Sequence, residues 1–222
     1  SSAWKKKKKE IEKLKQSEIK KNILNQDDFR HAAVLVLTAE IDGEESFIFE
    51  LRAGGIPQSG EVCFPGGKLD NSEKPVDAAL RETQEELNIH ENQIEIINSL
   101  PPMAPPMGTI IFPFIGFTTI KEIKNVNFNK NEVRKVLSVP IKFFLENEPH
   151  TSAVNVRLYP HYEKEGKKIS LLPFNKYKIP KRYKKPWGKG YYKVLFYEYE
   201  KNLIWGLTAR IVKETINGLK RI

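Results

Sequence analysis

Residues 80–89 read LRETQEELNI and place three glutamates, Glu82, Glu85 and Glu86, within five positions. A helix over residues 75–88 turns about 100° per residue, which puts Val76, Ala79, Leu80, Thr83 and Leu87 on one face as a core stripe. The glutamates fall on the neighbouring strip, because residues three and four apart are neighbours. Carboxylates held that close raise one another's pKa unless positive charge sits among them. Two readings stand at this point. One is an ordinary acidic surface helix. The other is a site for a hard divalent cation, Mg²⁺ or Mn²⁺, which oxygen ligands suit. Arg81 offers a further way to neutralise one of the acids.

The segment ahead of the helix favours the second reading. Residues 52–73, RAGGIPQSGEVCFPGGKLDNSE, hold five glycines and two prolines. Glycine lets backbone groups approach a ligand closely, and backbone amides suit phosphate. Pro75 then stands where a first helical turn tolerates it. A glycine-rich loop leading into a carboxylate-bearing helix points to metal-assisted phosphate chemistry.

Further out, residues 31–38 (HAAVLVLT) and 47–51 (FIFEL) read as strands around an Asp-Gly turn, hence a hairpin. Residues 94–100, 110–117, 133–140, 153–159 and 193–199 read as further strands. Residues 140–145 read as a short helix, and residues 207–220 as a terminal helix with Leu207, Ile211, Val212 and Ile216 on its apolar side. This interleaving predicts a mixed α/β or α+β domain. Residues 1–25 read as a lysine-rich helix with a thin stripe of Ile11, Leu14, Ile19 and Ile23.

The chain of 222 residues is 40% apolar and carries a net charge of +9, enough for a large core and biased toward anionic ligands. No apolar run reaches the roughly 18 residues of a membrane-spanning helix. A single cysteine, Cys63, excludes an internal disulfide and a cysteine zinc cluster. With no signal-like opening, the expectation is a cytoplasmic protein. His31, His90, His150 and His161 show no metal-ligand spacing. Cys63 reads as a small buried residue rather than a nucleophile. The run 176–193, KYKIPKRYKKPWGKGYYK, interleaves cations with aromatics; a solvated basic loop over an edge strand is its first reading and RNA binding its second. Residues 101–108, PPMAPPMG, read as a rigid loop whose methionines also suit an apolar pocket.

Beyond these readings, the spacing from Gly67 through Glu73 to Arg81, Glu82, Glu85, Glu86 and Ile89 resembles the Nudix box, Gx5Ex7REUxEExGU, where U is a bulky apolar residue. Thr83 is an untypical U, and Asn88 replaces the last glycine, a change a left-handed helix end tolerates. Six fixed identities arise by chance in such a chain roughly once in 10⁵. Upstream, Gly60, Phe64, Pro65, Gly66, Gly67 and Asp70 are similar to the coenzyme A diphosphatase branch, whose pattern is close to LLTxR[SA]xxxRxxxGxxxFPGGxxD. Arg52 and Ala53 fit it only with one residue deleted. Ile56 stands where that pattern has its second arginine.

The resemblance implies a Nudix α/β/α sandwich around a mixed sheet over residues 29–222, with residues 1–28 as a basic helical extension. It implies a diphosphohydrolase using Mg²⁺ or Mn²⁺ held by Glu82, Glu85, Glu86 and the Gly67 carbonyl. Glu73 and Arg81 would form an ion pair between loop and helix. Arg81, Glu85, Glu86 and Glu132 are the catalytic candidates, the general base among them being open. Arg52, Gly66 and Gly67 would meet the substrate, a small nucleotide. The expected reaction splits coenzyme A or an acyl-CoA into 3′,5′-ADP and a 4′-phosphopantetheine, with the basic run available to the 3′-phosphate. Other Nudix substrates are the alternative: ADP-ribose, dinucleoside polyphosphates, damaged nucleotides or capped RNA. An inactive nucleotide- or RNA-binding module ranks below both, since the carboxylates are complete. A homodimer is compatible with the resemblance.

Overall fold

A computed structural model describes residues 26–221, so the lysine-rich helix expected over residues 1–25 lies outside the described residues. The expected hairpin forms from β1 (Arg30–Ile41) and β2 (Glu44–Arg52). Its turn is Asp42-Gly43, both at positive φ (51° and 84°), the conformation a two-residue hairpin needs. Two short strands inside the glycine-rich segment follow, β3 (Val62–Cys63) and β4 (Gly66–Lys68), where sequence reasoning saw only loop. Helix α1 (Pro75–Leu87) comes next, then β5 (Ile94–Ser99), β6 (Thr109–Thr118), β7 (Val133–Pro140) and α2 (Ile141–Glu146). The chain continues through β8 (His150–Leu158), β9 (His161–Lys164), β10 (Lys167–Ser170), β11 (Trp187–Tyr199), β12 (Asn202–Trp205) and α3 (Gly206–Leu219). The β9–β10 hairpin and β12 escaped sequence reading, because β9 and β10 are short, polar and exposed and β12 has four residues.

The main sheet is mixed. Its order is β3-β2-β1-β6-β5, with β4 also on β1 and β7 also on β2. Strands β1 and β6 run parallel and the other pairs antiparallel. The two arms of the hairpin do not stay together. Pairing of β1 with β2 covers Thr38–Ile41 on β1, while Ala32–Val34 on the same strand pairs with β4. Between them the Leu35 amide donates to the Pro65 carbonyl at 2.9 Å. Residues 62–68 thus fill a split between β1 and β2, and β3 closes its other side by pairing Cys63 with Glu50.

Gly66 makes this insertion feasible. It has φ 152°, and a Cβ there would overlap the Ala33 carbonyl oxygen and the Val34 Cα of β1. Only glycine tolerates both the dihedral and the approach.

Each face of the sheet carries its own apolar layer. On one face Ala33, Leu35, Leu37 and Ile48 pack with Ala78, Ala79 and Leu87 of α1. On the other, Val36, Phe47, Phe49 and Phe64 pack with Phe144 of α2, Leu195 and Tyr197 of β11, and Ile211, Val212 and Ile216 of α3. This is the expected layered arrangement, with one addition. The far layer includes a separate antiparallel sheet, β12-β11-β8, so residues 153–159 and 193–199 do not join the main sheet. The basic run 176–193 therefore ends in the first part of β11, which pairs with β8 alone, because β12 meets β11 only at Phe196–Tyr199.

Helix α1 also differs from its expected stripe. Ala78, Ala79, Thr83, Glu86 and Leu87 are buried, while Val76 and Leu80 are only partly covered. Thr83 tolerates burial because its hydroxyl donates to the Ala79 carbonyl at 2.7 Å. Asn88 ends the helix at φ 54°, and its amide donates to the Gln84 carbonyl.

Gly66→Ala should lower stability by about 2–4 kcal/mol, since strain and backbone overlap coincide there. Gly43→Ala, at positive φ but with open space around it, should lose about 1–2 kcal/mol. Urea unfolding of both variants would measure the difference.

Candidate functional site

The split in the sheet brings the glycine-rich segment under α1. Gly67 pairs with Ala33, and its missing side chain leaves the space taken by the Glu82 carboxylate, which a Cβ would overlap. The Gly66 amide donates to Glu86 Oε2 at 2.9 Å. Both glycines are therefore needed where backbone meets carboxylate.

Two arginines divide the acids between them. Arg81 lies on the outer side. Its Nε donates to Glu73 Oε1 at 2.9 Å and its Nη2 to Glu73 Oε2 at 3.1 Å, a bidentate pair across loop and helix. The same guanidinium donates to the Lys68 carbonyl at 3.1 Å, to Glu82 at 2.9 Å and to Glu85 at 3.4 Å. Hydrogen bonds from Arg81 hold the Glu73 carboxyl below the usual carboxylate range. The Glu85 side chain stays 54% exposed. Arg52 lies on the inner side. Its Nη1 is 3.6 Å from Glu86 Oε1 and 3.6 Å from Glu50 Oε1, and its Nε donates to the Pro57 carbonyl.

Glu50 was not picked out by sequence reasoning. It is fully buried on β2, where side chains alternate between faces. Phe47 and Phe49 enter the layer toward α3, whereas Ile48 enters the layer toward α1. Glu50 and Arg52 continue the Ile48 side. The available signal was a glutamate inside the apolar run FIFEL, since a buried charge needs a reason. Cys63 donates its thiol to Glu50 Oε1 at 3.5 Å. Burial pushes that thiol well above its ordinary pKa, which disfavours the thiolate that a nucleophile needs.

Burial also dominates the two inner acids. It pushes Glu50 up to about 7, and burial together with the Glu50 charge pushes Glu86 up to about 9. Burial raises Glu82 as well, against the opposing pull of Arg81. Half-buried Glu132, just before β7, adds negative potential at both Glu50 and Glu82. Its carbonyl accepts from the Ala53 amide at 2.8 Å, which ties the turn before β7 to the end of β2.

Glu50, Glu82, Glu86 and Glu132 thus form one electrostatic group, with Glu85 at its exposed edge. Among the described residues, no three His, Cys, Asp or Glu side chains converge as a ready-made metal cage. Each guanidinium instead bridges acids, Arg81 those of the box and Arg52 the pair Glu50 and Glu86. The donor chemistry nevertheless fits a hard divalent cation. All the donors are carboxylate oxygens, and the buried Glu50 Oε2 has no hydrogen-bond partner among the described residues. His90 instead caps the turn Glu91–Gln93.

A NUDIX domain profile matches residues 29–159. The chain belongs to the Nudix family. Its class of activity is diphosphohydrolase. The chain is 27% identical over 190 residues to an uncharacterized Nudix hydrolase, NudL, of Photorhabdus laumondii, covering 85% of this chain and 84% of that one. It is 35% identical over 119 residues to the peroxisomal coenzyme A diphosphatase NUDT7 of Mus musculus, covering 51% of this chain and 48% of the mouse protein. A MutT/nudix family protein of Enterococcus faecalis has the same fold, with a TM-score of 0.50, 14% identity and coverage of 96% of this chain and 69% of that one. This Nudix chain has no helix among its described residues long and apolar enough to cross a membrane.

The raised inner acids set a pH dependence for the metal-free protein. Groups whose folded pKa lies above the ordinary 4.5 bind more protons folded than unfolded, so stability falls as pH rises through that interval. In EDTA, the melting temperature should fall between about pH 5 and pH 9. The Glu86→Gln variant should show a shallower fall, and calorimetry across that range would check it.

Proposed function

We propose that this Nudix hydrolase cleaves the diphosphate bond of coenzyme A or an acyl-CoA, releasing 3′,5′-ADP and an (acyl-)4′-phosphopantetheine. The carrying observation is the Gly66–Glu86 contact. It sets the FPGG segment against the carboxylates of α1, so a diphosphate lying on that segment meets the acids directly. The likeness to coenzyme A diphosphatases over about half the chain supports the substrate.

In this reading Glu82, Glu85 and Glu86, with the Gly67 carbonyl, hold Mg²⁺ or Mn²⁺. When bound, the ion neutralises the diphosphate and lowers the pKa of the attacking water. Arg81 keeps the helix and the loop in register through Glu73 and the Lys68 carbonyl. Arg52, at the mouth of the inner acids, offers its guanidinium to a substrate phosphate. Glu85, the most exposed of the box acids, and half-buried Glu132 are the candidates to accept the proton of the attacking water, because each can reach solvent without breaking a buried contact. The lysines and Arg182 of the run 176–193 are all exposed and available to the 3′-phosphate. Pro106 lines an open cleft with Asn155, Val156, Arg157 and Tyr159, whose mixed polar lining suits the amide-bearing arm of a pantetheine. A single cysteine is compatible with a reducing cytoplasm.

Ile56 favours a second reading. It places an apolar side chain where the coenzyme A pattern has its second arginine, which would shift preference to ADP-ribose, a dinucleoside polyphosphate or another nucleotide diphosphate.

Hydrolysis of coenzyme A, ADP-ribose and diadenosine polyphosphates with Mg²⁺ or Mn²⁺, products separated by chromatography, tests both readings. Coenzyme A should turn over fastest and yield 3′,5′-ADP; a faster second substrate would establish the other reading. Glu86→Gln and Glu82→Gln should each lower kcat by at least about 10²-fold, as expected when a charge that stabilises the transition state is lost. Normal rates and metal dependence in both variants would refute the metal assignment.

A further inference from the structure

Glu50 is a carboxylate that the box chemistry does not use, and stability does not explain it. It is fully buried, yet Oε2 has no hydrogen-bond partner among the described residues. Oε1 has a thiol at 3.5 Å and a guanidinium nitrogen at 3.6 Å, both long contacts. That nitrogen is shared with Glu86, itself 2% exposed. One guanidinium therefore faces two buried carboxylates. An apolar residue on this face, continuing Ile48, would remove the imbalance and give up only the contact with Glu86.

Three features aim Glu50 at the carboxylates of α1. Strand alternation puts it on the α1 side of β2, beyond Ile48. Its carboxyl lies within hydrogen-bonding reach of Glu86. Its backbone neighbour across the ladder is Cys63, one strand of the insertion that also delivers the Gly66 amide to Glu86. A buried oxygen with a free lone pair beside a second carboxylate is what a hard cation takes as a ligand.

We propose that Glu50 is a fourth carboxylate of the metal centre, donating through Oε2 beside Glu86. This rests on the metal reading given above. It adds a ligand from β2 to the ligands of α1 and so ties the metal to the sheet as well as to the helix. Arg52 is then a partial counter-charge to the inner acids when no cation is bound, and cation binding leaves its guanidinium free for the substrate phosphate.

The test is Mn²⁺ binding by the full chain without substrate, followed by electron paramagnetic resonance of the free ion. Glu50→Gln should raise the Kd about ten- to a hundredfold, the range seen when a group supporting a metal site is lost. Its melting temperature in EDTA should be unchanged or higher. Glu86→Gln should raise the Kd as well. A Glu50→Gln Kd within twofold of the parent, with Glu86→Gln weakened, overturns the role of Glu50 and leaves the metal reading standing. An unchanged Kd in both variants overturns the metal reading itself. A lower melting temperature in EDTA with an unchanged Kd assigns Glu50 a purely structural role and also overturns the proposal. Should Glu50→Gln not fold, Glu50→Asp decides: its shorter arm should raise the Kd at least fivefold, and an unchanged Kd counts against a direct ligand.

Discussion

The split between β1 and β2, filled by residues 62–68, is the constraint on which the rest of the site depends. It rests on the backbone contact between Gly66 and the Ala33–Val34 segment, closer than any side chain would allow. Because the inserted segment hydrogen-bonds to both strands, its position is set by the sheet and not by loop preference. The Gly66 amide then meets Glu86, Gly67 makes room for Glu82, and Cys63 meets Glu50. Three carboxylates on two elements are thus positioned by one piece of backbone.

The electrostatics divide by depth. Arg81, Glu73, Glu82 and Glu85 lie toward solvent, where a bidentate pair fixes geometry more than it adds stability. Glu50, Glu86 and Arg52 lie inward, where burial raises both acids and a single cation does not balance them. A site of this kind is stable without metal only by holding protons, and it gains most from a divalent ion. The outer arginine acts as a clamp between loop and helix, and the inner one as a counter-charge. The resemblance implied the clamp; the counter-charge duty of Arg52 follows from its packing between Glu50 and Glu86.

The far layer has a different task. Phe47, Phe49, Phe64 and Phe144 form a run of ring contacts, with Phe49 and Phe64 stacked at 4.5 Å. Tyr197 of β11 continues the run against Phe144 at 5.0 Å. Phe64 belongs to the inserted segment, so the same aromatic layer that seats the second sheet also holds the segment between β1 and β2. That sheet carries the exposed cations of the run 176–193 on the approach to its central strand.

Much of the architecture was legible in the residues themselves. Strong periodicity and local turn chemistry marked the hairpin, α1, its left-handed end at Asn88 and the terminal helix, because these depend on neighbours in sequence. The spacing from Gly67 to Ile89 made the family legible, since one loop and one helix carry the whole pattern. Other features depended on tertiary structure. The burial of Glu86 and Ala78 in place of Leu80 follows from how α1 is rotated on the sheet. The second sheet follows from which strands β11 meets. Glu50 was hidden because its role comes from strand alternation and from an insertion that starts twelve residues later. Local sequence determined which acids stand on one helix. Only the packing of that helix over a split sheet decided which acids are buried and left short of counter-charge.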